Sequence, residues 1–170
     1  MPTDFRTCAV LGFQTARPGA DPRLAELNLR LGEALDAEGL LRFQVLTHAT
    51  DATRLCVYWL WRDLRDRDAL WAAPPTALTD FWTAARPHWL AEPSVRRFVW
   101  HPAADRDLCA PGAGIALEES PRPSAQEPGS WLLDIDSNAA LHCRAPSGPR
   151  DPVAWRALPG ALGTVPHSMR

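Results

Sequence analysis

Residues 54–62 read RLCVYWLWR, and between the two arginines the only polar side-chain groups are the Tyr58 hydroxyl, the Cys56 thiol and the indole N–H groups. Side chains of a strand alternate between the faces of its sheet. Leu55, Val57, Trp59 and Trp61 therefore point one way, and Cys56, Tyr58 and Leu60 the other. A strand that is apolar on both faces belongs in the interior of a sheet covered on both sides. The rest of the chain has to provide, or recruit, both covers.

The flanking sequence supplies one of them. Residues 5–15 (FRTCAVLGFQT) are short, apolar and closed by Pro18-Gly19, which reads as a strand. Asp21 as N-cap and Pro22 at the first helical position then open a helix bearing Leu24, Leu27, Leu31 and Leu35, stopped by Gly39. Residues 40–48 alternate, with Leu41, Phe43 and Val45 on one face, and form a hairpin with 54–62 across the polar turn 49–53. A short helical turn is expected at 66–71. A further helix, capped by Thr76 and kinked by Pro87, carries Leu78, Phe81, Trp82, Ala85 and Trp89 on one stripe. Residues 95–101 (VRRFVWH) are the last strand.

The order β-α-β-β-α-β is the α+β, ferredoxin-like plan, in which both helices pack on the same face of the sheet. The face of Cys56, Tyr58 and Leu60 would then be an apolar patch larger than monomers expose. A second copy applied face to face is the expected cover, giving a homodimer through these three residues.

From Pro102 the character changes: ten of the 17 prolines lie between Pro102 and Pro166. The chain divides on this basis into a domain at 1–101 and a Pro-rich, partly ordered C-terminal extension at 102–170. Three apolar runs, at 114–118, 131–135 and 139–143, read as short strands, the last two joined by a turn at Asp136-Ser137-Asn138. Trp131 and Trp155 argue for an ordered appendage docked on the first unit or its partner, where its strands would extend a sheet edge.

Composition narrows the function. A net charge of −2 gives no broad basic field for nucleic acid or an anionic membrane. All 18 basic residues are arginine, which excludes a lysine Schiff base. Residues 1–6 lack the features of a secretory signal, no apolar run is long enough to span a bilayer, and the expected location is the cytoplasm. Cys8, Cys56, Cys109 and Cys143 form no C-x-x-C pair and read as free thiols, two of them in strands. No histidine pair has ligand spacing, so no metal is expected.

The candidate site residues follow from the faces. Trp59 and Trp61 share a strand face, and Trp82 and Trp89 lie on the inner stripe of the second long helix. These four form either a plain core or the flat walls of a pocket for an aromatic molecule. Asn28 lies beside Leu24, Leu27 and Leu31 on the inner face of the first helix, so its amide is bonded to backbone or placed to bind something polar. His48 and His88 are the histidines nearest a pocket mouth and the candidate bases; simple exposed histidines are the alternative. Arg62 and Arg86 would hold an anionic or phenolate substrate, or are solvated.

Glu38, Gly39, Leu40, Leu41 and Phe43 opening the second strand, Tyr58 and Trp61 in the third, Ala69-Leu70 beyond it, and Glu92-Pro93 before the strand 95–100 carry a family resemblance. The chain resembles the antibiotic-biosynthesis monooxygenase-like group of the dimeric α/β-barrel superfamily over residues 1–101. The resemblance implies a dimeric α/β barrel with a ligand between sheet and helices, matches Trp61 to the family's pocket tryptophan, and suggests a cofactor-independent monooxygenase acting on an aromatic or polyketide-like substrate. Asn28 and the Trp61 N–H would then serve as donors, His48 or His88 as base, and no cofactor is implied. A non-catalytic ligand-binding or assembly dimer is the alternative, and a heme-binding or heme-degrading protein a third. Two departures stand out. The segment RDLRDRDAL after Trp61 is longer than the usual link, and residues 71–79 lack the histidine that often follows it, which counts against heme ligation.

Overall fold

The structure is a computed structural model and describes residues 7–101, 108–110, 112–120, 130–137 and 139–159. Phe5 and Arg6 of the first expected strand, Asn138 of the expected turn and His167 lie outside the described residues. The first part of the chain runs β1 (Cys8–Thr15), α1 (Asp21–Ala34), β2 (Leu40–His48), β3 (Arg54–Trp61), α2 (Leu64–Ala72), α3 (Thr76–Ala85) and β4 (Ser94–His101). This is the β-α-β-β-α-β order with one extra helix, α2. The Pro-rich stretch contributes β5 (Gly114–Ser120), β6 (Ser130–Asp134), β7 (Ala140–Arg144) and β8 (Ala154–Ala157). Three of these coincide with the apolar runs. The fourth, β8, is too short to show a period in the sequence.

β3 is central, with Val57 opposite Gly12 of β1 and Val45 of β2. The four-stranded sheet β4-β1-β3-β2 has two edges, and the C-terminal strands occupy both. β8 pairs with β2, placing Ala157 opposite Leu46, and β6 pairs with β4, placing Asp134 opposite Phe98. Through β5 and β7 the circuit closes, and all eight strands form one antiparallel barrel in the order β1-β3-β2-β8-β5-β7-β6-β4. An eight-stranded barrel is just wide enough for side chains to fill its interior, and closure leaves no sheet edge to pair with another chain.

This closure corrects the expected dimer face. Cys56, Tyr58 and Leu60 are fully buried inside the barrel, packed with Leu117, Leu132, Leu141, Cys143 and Trp155 of the same chain. The cover assigned to a second copy is supplied in cis. A buried amide closes the same core: Gln44 accepts from Leu108 N at 2.8 Å and donates to Cys109 O at 2.8 Å.

The other face of β3 carries Leu55, Val57, Trp59 and Trp61 into a second core with Val10 and Phe43 and the inner sides of α1 and α3. Gly32 lets α1 lie flat on the sheet, since a Cβ there would overlap the Phe43 ring. The helix ends differ from the expected ones. Ala20, not Asp21, is the N-cap of α1, and α1 ends at Ala34 rather than running to Gly39. Gly39 sits in the turn before β2 with φ +79°, where any Cβ would also meet the Asp66 carboxylate. Pro75 rather than Thr76 is the N-cap of α3. Pro87 has no N–H to continue α3, so the α-helix stops at Ala85 and tightens into a 3-10 turn, Arg86–His88. No helix among the described residues is long and apolar enough to cross a membrane.

The connection into β8 is pinned by one carboxylate. Asp151 accepts from Ser147 N (2.9 Å), Ser147 Oγ (3.0 Å), Val153 N (3.1 Å) and Arg144 Nη1 (2.7 Å). The backbone N–H of Ser147, then Arg144 and the Val153 N–H, hold its carboxyl well below the usual carboxylate range.

Two outcomes are expected. Tyr58→Asp places a charge inside the barrel and should abolish cooperative unfolding of the chain, read by urea denaturation. A folded variant with an unchanged midpoint would show that the barrel is not closed as described. The depressed Asp151 carboxyl stabilises the fold above its unfolded value of about 3.9 and this is lost as pH falls through that value toward the folded one. The midpoint should therefore drop on acidification below about pH 4, and drop less in Asp151→Asn, where that titration is absent.

Candidate active site

Between the sheet and the helices lies a half-open cavity whose walls are Trp59 and Trp61 of β3, Trp71 of α2, Trp82 of α3 and Trp89 just beyond it. Strand alternation puts the first two on the helix side. The 3-10 turn resets the helical phase, so that Trp89, which leaves it extended, is buried against the core. The rings are packed against one another. Trp59 stacks on Trp61 at 6.2 Å between centroids, meets Phe43 edge-on at 5.0 Å and Trp71 edge-on at 6.0 Å, and Trp71 meets Trp82 at 5.5 Å.

Indoles fill most of the space between sheet and helices, and what remains decides what the site can hold. The volume in which the centre of a water molecule can move is about 80 Å³. An apolar cavity of about 150 Å³ holds benzene, so a single ring would fill this one and extend into its open side.

The polar groups of the cavity are few. Asn28 is buried, and its Nδ2 donates to Gln14 Oε1 at 3.0 Å and to Leu24 O at 2.8 Å, which uses both of its N–H groups. Gln14 Nε2 returns a bond to Asn28 Oδ1 at 2.9 Å, and Trp89 Nε1 donates to Gln14 Oε1 at 3.2 Å. The two amides thus form a reciprocal pair fixed by a helix carbonyl and an indole. One Gln14 N–H and one lone pair of Asn28 Oδ1 are left over from this set of bonds. Asn28 is bonded to backbone, and it also lines the cavity.

Among the described residues, Arg67 of α2 is the only charged one in the lining. Its side chain is 13% exposed, its Cζ lies 5.0 Å over the Trp71 ring, and its Nη1 pairs with Asp68 at 2.9 Å. Its Nε is buried with no hydrogen-bond partner. Such a donor costs about 1–3 kcal/mol, and more on a charged group. α2 itself has no buried residue, and its first turn is tied down by Arg62, which donates to Asp66 at 2.8 and 2.9 Å and to Glu38 at 3.3 Å.

Other expected site residues lie elsewhere. His48 is even-numbered on β2, opposite in phase to Phe43 and Val45, and so points to the barrel interior. There its Nε2 lies 3.0 Å from Pro152 O and its ring meets Trp155 edge-on at 5.0 Å. It lines a second hollow at the barrel mouth with Arg54, Arg96 and Glu119. His88 and Arg86 belong to the 3-10 turn, half-buried and exposed respectively, and do not line the tryptophan cavity. Arg62 is held at the head of α2. Gln14, Arg67 and Trp71 were not singled out from the sequence. Gln14 is legible in retrospect, because it shares the phase of Val10 on β1.

Among the described residues the cavity lining contains no aspartate, glutamate, histidine or cysteine. Burial pushes the nearby Cys8 thiol up to about 11, so it stays protonated near neutrality, and burial raises Cys56 further. Among the described residues no group of three or more His, Cys, Asp or Glu is placed to hold a metal ion.

No protein-family model and no curated protein matches the chain. Solved structures do. A "putative antibiotic biosynthesis monooxygenase" from Nitrosomonas europaea superposes with a TM-score of 0.52 at 13% identity, covering 58% of this chain and 94% of that one. A conserved protein from Methanosarcina mazei Go1 (TM-score 0.49, 15% identity, 55% and 91% covered) and a protein from Chloroflexus aurantiacus J-10-fl given the same description as the first (0.47, 22%, 55% and 91%) are also similar. The likeness to the Nitrosomonas protein is one of fold. Nearly all of that protein is matched by little more than half of this chain, so over two fifths of this chain has no counterpart in it.

The amide pair gives a direct expectation. Asn28→Leu removes two donors and leaves the Gln14 amide without its reciprocal partner, which should cost about 1–3 kcal/mol of stability. Urea unfolding measures this, and an unchanged midpoint would mean that the pair is not formed.

Proposed function

We propose that the chain binds a single-ring aromatic molecule among Trp59, Trp61, Trp71, Trp82 and Trp89, and acts on it as a cofactor-independent, monooxygenase-like enzyme. The observation that carries the reading is the cavity itself: indole walls, an open side, and a fixed amide pair in the lining. An electron-rich aromatic anion can reduce oxygen without a cofactor, provided the site keeps it dry and offers donors to developing negative charge. Indole walls serve the first need. The remaining Gln14 N–H and the Arg67 guanidinium serve the second.

The base expected among the histidines is not in the lining, so the substrate proton leaves to solvent through the open side, or the substrate arrives already ionised. This same observation favours a second reading, a non-catalytic binding protein with the same pocket. Both require ligand binding, and they separate on turnover.

The test is direct. Titration of a monocyclic hydroquinone into the protein should quench tryptophan fluorescence saturably. Trp61→Ala should weaken that binding by about tenfold, in keeping with the loss of one aromatic contact of about 1 kcal/mol plus its buried area. Oxygen uptake above the uncatalysed rate would support the enzyme, and saturable binding without uptake the binding protein. Absence of any quenching would overturn both.

A further inference from the structure

We infer that Arg67, presented by the extra helix α2, is an anion-reading group, and that the ligand of the tryptophan cavity is an aromatic acid whose carboxylate pairs with this guanidinium. The inference rests on the pocket assigned above and specifies what enters it. α2 occupies the segment after Trp61 that is longer than the usual link. It contributes two side chains to the lining, Trp71 and Arg67.

Packing alone does not account for Arg67. The guanidinium is a cation. Its existing contacts use one edge and one face: Nη1 on the carboxylate of Asp68, which is half exposed and screened by water, and the ring of Trp71 beneath. The edge bearing Nε is withdrawn from solvent and bonded to nothing. Asp136 also feels the Arg67 charge but is itself bonded to Arg97, and Nε makes no hydrogen bond to either carboxylate. Nε is out of reach of water, so a carboxylate meets Nε and an Nη as a planar fork only once α2, which buries no residue fully, shifts. An arginine in walls otherwise uncharged among the described residues favours an anion over a neutral ligand of the same shape.

Benzoate and benzamide, alike in size and different in charge, are the probes. Calorimetric titration of the full chain should show benzoate binding at least about tenfold more tightly than benzamide, as expected for one charge-assisted bidentate pair. Arg67→Met, which keeps the apolar stem, should erase the difference while leaving benzamide affinity within about twofold. Equal binding of the two probes by the unmodified protein would overturn the inference and leave the pocket standing. So would a preference for benzoate that survives in Arg67→Met. Binding of neither probe would overturn this inference and the aromatic pocket together. The ratio in the unmodified protein decides the question even if the variant does not fold.

Discussion

The structure depends on the double burial of β3. A strand with Trp59 and Trp61 on one face and Tyr58 and Leu60 on the other cannot lie at a surface, because either face left in water forfeits the burial of several large side chains at about 25 cal/mol per Å². The helices α1 and α3 satisfy one face in the manner of any ferredoxin-like unit. The other face is satisfied by four short strands from the Pro-rich stretch, which pair with β2 and β4 and bend round to meet each other. A second copy of a sheet and a second set of strands are physically equivalent covers. What both must supply is apolar side chains facing inward and backbone partners for the sheet edges.

Closing the barrel in cis has a consequence for the site. The tryptophan cavity lies outside the barrel, between sheet and helices, and its strand walls are held by a barrel that one chain completes. The C-terminal strands bring no helices with them, so the chain forms one such cavity among its described residues. Rigidity comes from the sheet side, where Trp59 and Trp61 are fixed by strand pairing on both flanks and Gln14 by pairing with β3. The helix side is less uniform. α3 is anchored by Leu78, Phe81 and Ala85, whereas α2 buries no residue fully and is held by its Asp63 cap, the Arg62–Asp66 pair and the half-buried Leu64, Leu70 and Trp71. Adaptation of the cavity to a ligand would therefore fall on α2.

The four tryptophans read from the sequence do line one cavity, and Asn28 reaches it; strand and helical period fix the directions of Trp59, Trp61, Trp82 and Asn28, whereas Trp89 arrives through the 3-10 turn. Arg86 and His88 adjoin Trp89 in sequence, but in the 3-10 turn around Pro87 neither joins the lining. His48 was placed by its position at a strand end rather than by its phase, and its phase takes it into the barrel. Arg67 and Trp71 were hidden in a charged segment, RDLRDRDAL, whose composition reads as exposed linker.

Local sequence was enough for the alternation of β3, the order of the first seven elements and the existence of three of the four late strands, since each rests on interactions between residues a few positions apart. It could not say who covers Cys56, Tyr58 and Leu60. That choice is set by pairings such as Leu46 with Ala157 and Phe98 with Asp134, across gaps of 111 and 36 residues. No periodicity records a contact between segments so far apart. The same holds for the size of the cavity and for the unpaired edge of Arg67: both are differences between large volumes and many bonds, and exist only once every neighbour is in place.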